Sequence, residues 1–175
     1  MKMGKKEKNR KKDALEIVAA LFVAWLAYQV IALATGTGMP LVAVISSSMD
    51  HEGKTYDNWW NSTNGFYENT GITKGEFAAF PYRNGLSKYD LMVVVKDEPK
   101  VGDVVIYQGL GKTIIHRVIE IKDTGYITKG DNSRTNKMAD NNGNPIPKQL
   151  VIGKAVVALP VIGFPRTLIF DIFGV

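Results

Sequence analysis

The chain has no cysteine and only two histidines, His51 and His116, in 175 residues. That removes disulfides, thiol nucleophiles and thiolate metal sites together, and leaves a histidine-built metal cluster short of ligands. No metal or cofactor is expected, and any imidazole chemistry must use one of those two rings. Positive charge is also scarce once it is located. The net charge is +5, but residues 1–12 (MKMGKKEKNRKK) carry seven basic groups and one acidic, so the rest of the chain sums to −1. The basicity belongs to a tail, and no nucleic-acid partner is expected.

Residues 17–35 (IVAALFVAWLAYQVIALAT) lack any ionisable group except Tyr28. Nineteen residues at about 1.5 Å each give roughly 28 Å, close to the hydrocarbon thickness of a bilayer. A cleaved signal peptide also starts basic, but its apolar core is usually about 7 to 15 residues. A retained anchor over 14–36, behind a basic tail over 1–13, is the better reading. The positive-inside rule puts the lysine-rich end in the cytoplasm and residues 37–160 on the other side of a cell or endoplasmic-reticulum membrane. Trp25, Tyr28 and Gln29 lie mid-span and are candidates for a helix-packing face.

Gly36-Thr37-Gly38-Met39-Pro40 breaks the helix, and Pro40 suits the opening of a strand, where no ladder donor is required. The strand expected over 41–45 (LVAVI) runs directly into Ser46-Ser47-Ser48-Met49. From 50 to 90 the composition turns to Asn, Gly and aromatics (Tyr56, Trp59, Trp60, Phe66, Tyr67), which reads as an insertion. Those rings suit either a satellite core or a lipid-headgroup layer. Thr73 with Glu76 looks like a capping box, and Phe77 and Phe80 would share a face of a short helix stopped by Pro81. Asn61-Ser62-Thr63 is a glycosylation sequon.

Beyond residue 90 the chain reads as β. Runs at 91–96 (LMVVVK), 103–107 (DVVIY), 113–122 (TIIHRVIEIK), 126–129 (YITK) and 151–159 (VIGKAVVAL) are split by Gly, Pro and Asp signals. That pattern predicts a mostly β fold with an antiparallel sheet or barrel and no crossover helices. The last stretch, 161–175, is apolar but short, and is expected to pack on the domain or lie at the membrane surface.

A serine hydroxyl needs a base to take its proton. Ser48 is the candidate nucleophile. His116, in an alternating strand that also carries Ile114 and Val118, is the candidate base; His51 heads into a polar loop and is read as solvated. A carboxylate would fix the imidazole's tautomer, and Asp131 and Asp140 are both available.

Taken in order behind one N-terminal span, Ser48-Met49, Gly102-Asp103-Val104-Val105, Ile115-His116-Arg117 and Lys129-Gly130-Asp131-Asn132 resemble signal peptidase I over about two-thirds of the chain. A histidine at the base position resembles the archaeal and endoplasmic-reticulum branch, where bacterial members use lysine. The resemblance implies a repressor-protease-like β domain, Ser48 as nucleophile and His116 as general base. It implies two aspartates behind them, the first falling on Asp131 and the usual third triad member a few residues later. Six residues past Asp131 stands Lys137; a three-residue loop insertion reconciles the spacing, so Asp140 is favoured for that role over Asp131, and Asp50 replaces a frequent proline. The resemblance further implies oxyanion donors at Ser46 and the Ser48 backbone, and shallow subsites flanked by Val44, Met49 and Ile115 that accept small side chains. The implied partners are preprotein signal peptides, the lipid bilayer and the protein-export translocon. Two other classes compete: a membrane-anchored β-domain that binds without catalysis, and a self-cleaving regulator of related fold.

Overall fold

The computed structural model describes residues 3–109 and 111–160; the apolar segment expected over 161–175 lies outside them. Helix α1 (Met3–Thr35) takes in the end of the basic tail as well as the apolar run. Residues Arg10–Thr35 are long and apolar enough to cross a membrane, with none of that apolar stretch buried. Leu33 is 86% exposed, so this is not the core helix of a soluble domain. It stops where Gly36 takes a left-handed φ of 68°, a conformation that costs glycine nothing at a helix C-terminus. The joint to the following domain is bonded: the Lys96 N–H donates to the Thr35 carbonyl at 2.8 Å, and the Tyr28 hydroxyl to the Gly38 carbonyl at 3.0 Å.

Seven strands form one antiparallel sheet. They are β1 (Leu41–Ala43), β2 (Leu91–Val95), β3 (Val104–Gly109), β4 (Lys112–Lys122), β5 (Gly125–Lys129), β6 (Ile146–Pro147) and β7 (Val151–Leu159). Their order across the sheet is β1-β2-β7-β3-β4-β5-β6, so the short β1 and β6 are the edges. The mostly β expectation holds, and the run at 151–159 is a strand over its whole length. The first strand is shorter than expected. Val44 still exchanges backbone bonds with Asp90 and Tyr89, but then the chain turns, with the Asp50 N–H donating to the Ser47 carbonyl at 3.0 Å. The serines therefore sit on a turn beyond the strand end, and Ile45 is exposed.

The 50–90 segment folds as two helices, α2 (Tyr56–Asn69) and α3 (Lys74–Ala78). The Thr73–Glu76 capping box forms in both directions, and Phe77 and Phe80 pack with ring centroids 5.4 Å apart. Helix α2 was hidden because Asn, Gly and aromatics are indifferent helix formers. Tertiary packing overrides that weak propensity: Trp59, Trp60, Thr63 and Tyr67 make its buried stripe. With Ile72 and Phe77 the three larger rings form a satellite core against Ile119 and Ile127 of the sheet. The aromatics thus take the packing alternative over the headgroup one.

Candidate active site

The pleat of β4 decides which residues meet. Cross-strand partners share a face, and successive residues alternate. In the register Tyr107↔Ile114, Val105↔His116 and Val118↔Thr128, the side chains of Tyr107, His116 and Thr128 lie on one face. Arg117, paired with Val104 on one side and Lys129 on the other, takes the opposite face.

On the first face His116 meets Asp140, which opens a 3₁₀ turn (Asp140–Gly143) in the loop before β6. His116 Nδ1 lies 2.6 Å from Asp140 Oδ2. The same oxygen accepts the hydroxyls of Thr128 at 2.6 Å and Tyr107 at 2.9 Å. Burial pushes the Asp140 carboxyl up, but the bond and charge of His116 and the two hydroxyls outweigh it and hold it below the usual carboxylate range. Burial, reinforced by the Asp140 charge, drives the Tyr107 phenol up, so it stays protonated and donating. With Nδ1 committed to a carboxylate, Nε2 is the nitrogen left for a substrate-side proton. Tyr107 and Thr128 were not picked out from the sequence, because their part depends on strand register.

On the second face Arg117 is fully buried and all five of its N–H donors are used. Nε and Nη2 hold Asp131, with Nη2–Oδ2 at 2.6 Å, and the others reach the carbonyls of Pro81, Gly102 and Tyr82. Tyr67 and the Trp59 indole add bonds to the Asp131 carboxylate and carbonyl. Burial alone would raise the Asp131 pKa; the Arg117 charge, helped by His51, holds it far below the usual range. Lys129 is also buried here. Its Nζ donates to the Gly130 carbonyl at 2.8 Å and lies 5.0 Å over the Phe66 ring, and burial, opposed by Asp131 and Asp140, brings it down to about 8.

His51 is a correction. Rather than being solvated it is 3% exposed, because α2 folds over the loop and stacks Trp59 on the imidazole at 3.8 Å and 3°. Its Nε2 is 3.7 Å from Asp131 Oδ2, beyond hydrogen-bonding distance, and neither ring nitrogen has a hydrogen-bond partner among the described residues. Asp131, the other candidate to orient His116, instead belongs to this Arg117 cluster.

The turn carrying Ser48 is held by the residues that follow β5. Asn132 donates its backbone N–H to the Ser48 carbonyl at 2.9 Å and its side-chain amide to the Ser47 carbonyl at 3.0 Å. Gly130 lets that turn approach: a Cβ there would lie 2.6 Å from the Ser48 oxygen. Gly130 follows β5 directly, one residue past the last paired position, Arg117↔Lys129. The Ser48 backbone therefore abuts the residues that leave β5, the neighbour of the strand that carries His116. The Ser48 hydroxyl is bonded to Ser46 Oγ at 3.1 Å rather than to His116. Among the described residues nothing accepts the Ser48 backbone N–H. Of the three expected subsite residues, Val44 and Met49 are filled into the main core, and half-buried Ile115 packs at its border with surface to spare. No group of three or more His, Asp or Glu able to hold a metal occurs among the described residues.

No family model matches the chain, and no curated protein matches it either.

Proposed function

We propose that the chain is a membrane-anchored serine endopeptidase, similar to signal peptidase I of the histidine-base type, that removes N-terminal signal peptides from exported preproteins. The observation that carries this reading is the 2.6 Å His116–Asp140 pair, with the turn that bears Ser48 bonded to Asn132, three residues past the end of β5, the strand beside β4. In this mechanism the Ser48 hydroxyl swings from Ser46 to His116 Nε2 as substrate closes the site; catalytic bonds commonly tighten only in the substrate complex. Ser48 Oγ attacks the scissile carbonyl while Nε2 takes its proton, and Asp140 stabilises the imidazolium. The Ser48 N–H and Ser46 hydroxyl receive the oxyanion. Collapse of the tetrahedral intermediate breaks the C–N bond, and His116 returns the proton to the leaving amine. A water activated by the same imidazole then hydrolyses the acyl-enzyme, releasing the second product and Ser48.

The wider reading follows from the same parts. Helix α1 tethers the domain with its basic end in the cytoplasm, and the repressor-protease-like sheet accepts substrate as an added strand. Enzyme and preprotein then share the bilayer, so modest site affinity suffices, and the translocon that delivers preproteins is a natural partner. The test is cleavage of a preprotein by the full chain in detergent. Ser48→Ala and His116→Ala should each lower kcat by roughly 10⁶-fold while the chain stays folded. Cleavage retained in either folded variant overturns the assignment.

A further inference from the structure

The Asp140 oxygen that meets His116 is shared among three donors, which is more than orienting one imidazole requires. Tyr107 and Thr128 reach it from two different strands, β3 and β5, flanking the β4 strand that carries His116. Both are buried, and Thr128 Oγ1 also lies 3.4 Å from Tyr107 Oη, so the two hydroxyls and the carboxylate form one closed set. We propose that Tyr107 and Thr128 are positioning residues for the base: their hydroxyls divide the Asp140 oxygen with His116 and so fix both its place and its pull on the imidazole. This rests on His116 acting as the proton acceptor of the proposed reaction.

The physical reasoning is a balance. A carboxylate oxygen bonded by one imidazole alone would hold the imidazolium strongly and keep the base protonated to higher pH. Two neutral donors on the same oxygen draw off part of that pull without adding charge. The groups that face the pair are few. Tyr107 comes from β3 and Asp140 from the loop before β6; the Lys129 charge acts on Asp140 from β5, and Arg117 lies on the other face of β4. The serine turn brings hydroxyls and closes on Asp50, whose carboxylate accepts the Glu52 N–H.

Tyr107→Phe and Thr128→Val each remove one hydroxyl at nearly constant volume, and the double variant removes both. Two readouts are made on the full chain in detergent micelles. The first is the ¹⁵N titration of the imidazoles, assigned with His51→Phe, which leaves His116 as the lone histidine. The second is the pH profile of kcat and KM on a preprotein. In the double variant the His116 midpoint is expected to rise by roughly half to one pH unit, with the acid limb of kcat rising in step. Well below the midpoint kcat falls about three- to tenfold, recovering at higher pH, with KM unchanged. A purely structural role would lower kcat at every pH and leave the NMR midpoint in place, and that result overturns the proposal, as does a midpoint that moves down. If the midpoint rises while the parent chain cleaves no preprotein, the sharing of the oxygen stands and the peptidase reading falls.

Discussion

His116 and Arg117 are neighbours on β4, yet each serves a different aspartate on a different face of the sheet. On one face Asp140 is held by an imidazole and two neutral hydroxyls, and the imidazole keeps its second nitrogen free. On the other, Asp131 is saturated by a guanidinium, a tyrosine and an indole around its backbone, and the histidine beside it, His51, is stacked and unbonded. Both faces contain a histidine and an aspartate, so residue type alone does not separate a reactive pair from a structural one. The carboxylate's other partners do. A guanidinium neutralises most of the Asp131 charge, whereas neutral hydroxyls temper the pull of Asp140 without cancelling its charge, which stays available when His116 takes a proton.

Exchanging the two carboxylates for amides is the strongest way to break this contrast. Asp140→Asn should lower preprotein cleavage by roughly 10⁴-fold, because an amide favours the wrong tautomer, while the thermal midpoint moves little. Asp131→Asn should do the reverse. It strands the buried Arg117 charge, for which the cost is about 3 to 5 kcal/mol, read as a denaturation midpoint lowered by roughly 10 °C. If Asp131→Asn instead abolished activity in a chain of unchanged stability, the assignment of the two faces would be inverted.

Smaller, but on the same axis, is the acid dependence of folding. Asp131 and Asp140 both ionise below the ordinary carboxylate range in the folded chain. A group depressed in this way contributes its stabilisation in full above its unfolded value, near 4, and loses it as pH falls towards its folded value. Wild-type stability should therefore be level above about pH 5 and decline below pH 4. The gap between wild type and Asp131→Asn should close over that acid range, measured by urea denaturation at each pH. A gap that is constant down to pH 2 would mean that the Arg117–Asp131 pair contributes nothing through its charge.

What the sequence disclosed tracks what is local. The strand at 151–159, the Thr73–Glu76 cap and the apolar helix each depend on residues a few positions apart, and each is found. Ser48 and His116 were singled out on local grounds too, one ending an apolar run and the other sitting in an alternating one, and their roles remain those of the proposed function. The partner of His116 was legible only as a preference for Asp140, since fixing that choice over Asp131 requires knowing that Arg117, one residue on, faces the other way and claims Asp131. Alternation within 113–122 contained half of that answer; the register against Lys129 and Thr128 contained the rest and is not written in any local pattern. His51 failed for a related reason. Its neighbours in sequence, Asp50, Glu52, Gly53 and Lys54, are polar, and what buries it is Trp59 on a helix whose composition concealed it.

The smallest expected effect sharpens the comparison most directly. If His51 serves as a flat ring between Trp59 and the Asp131 cluster rather than as an acid or base, a phenyl ring should replace it. His51→Phe keeps the stack and removes two buried ring nitrogens that have no partner, each a standing desolvation cost. Against this, Asp131 loses the weak attraction of a polar edge 3.7 Å away, and the slightly larger ring must fit beside Gly85, where even a Cβ would lie 2.7 Å from the imidazole. These terms oppose one another and should leave stability within about 1 kcal/mol of wild type, with cleavage within roughly threefold. The same substitution at His116 should leave no measurable activity. A His51→Phe chain that folds normally but loses cleavage would move His51 from the scaffold into the chemistry, and would require Asp131 to share its charge between an arginine and a working imidazole.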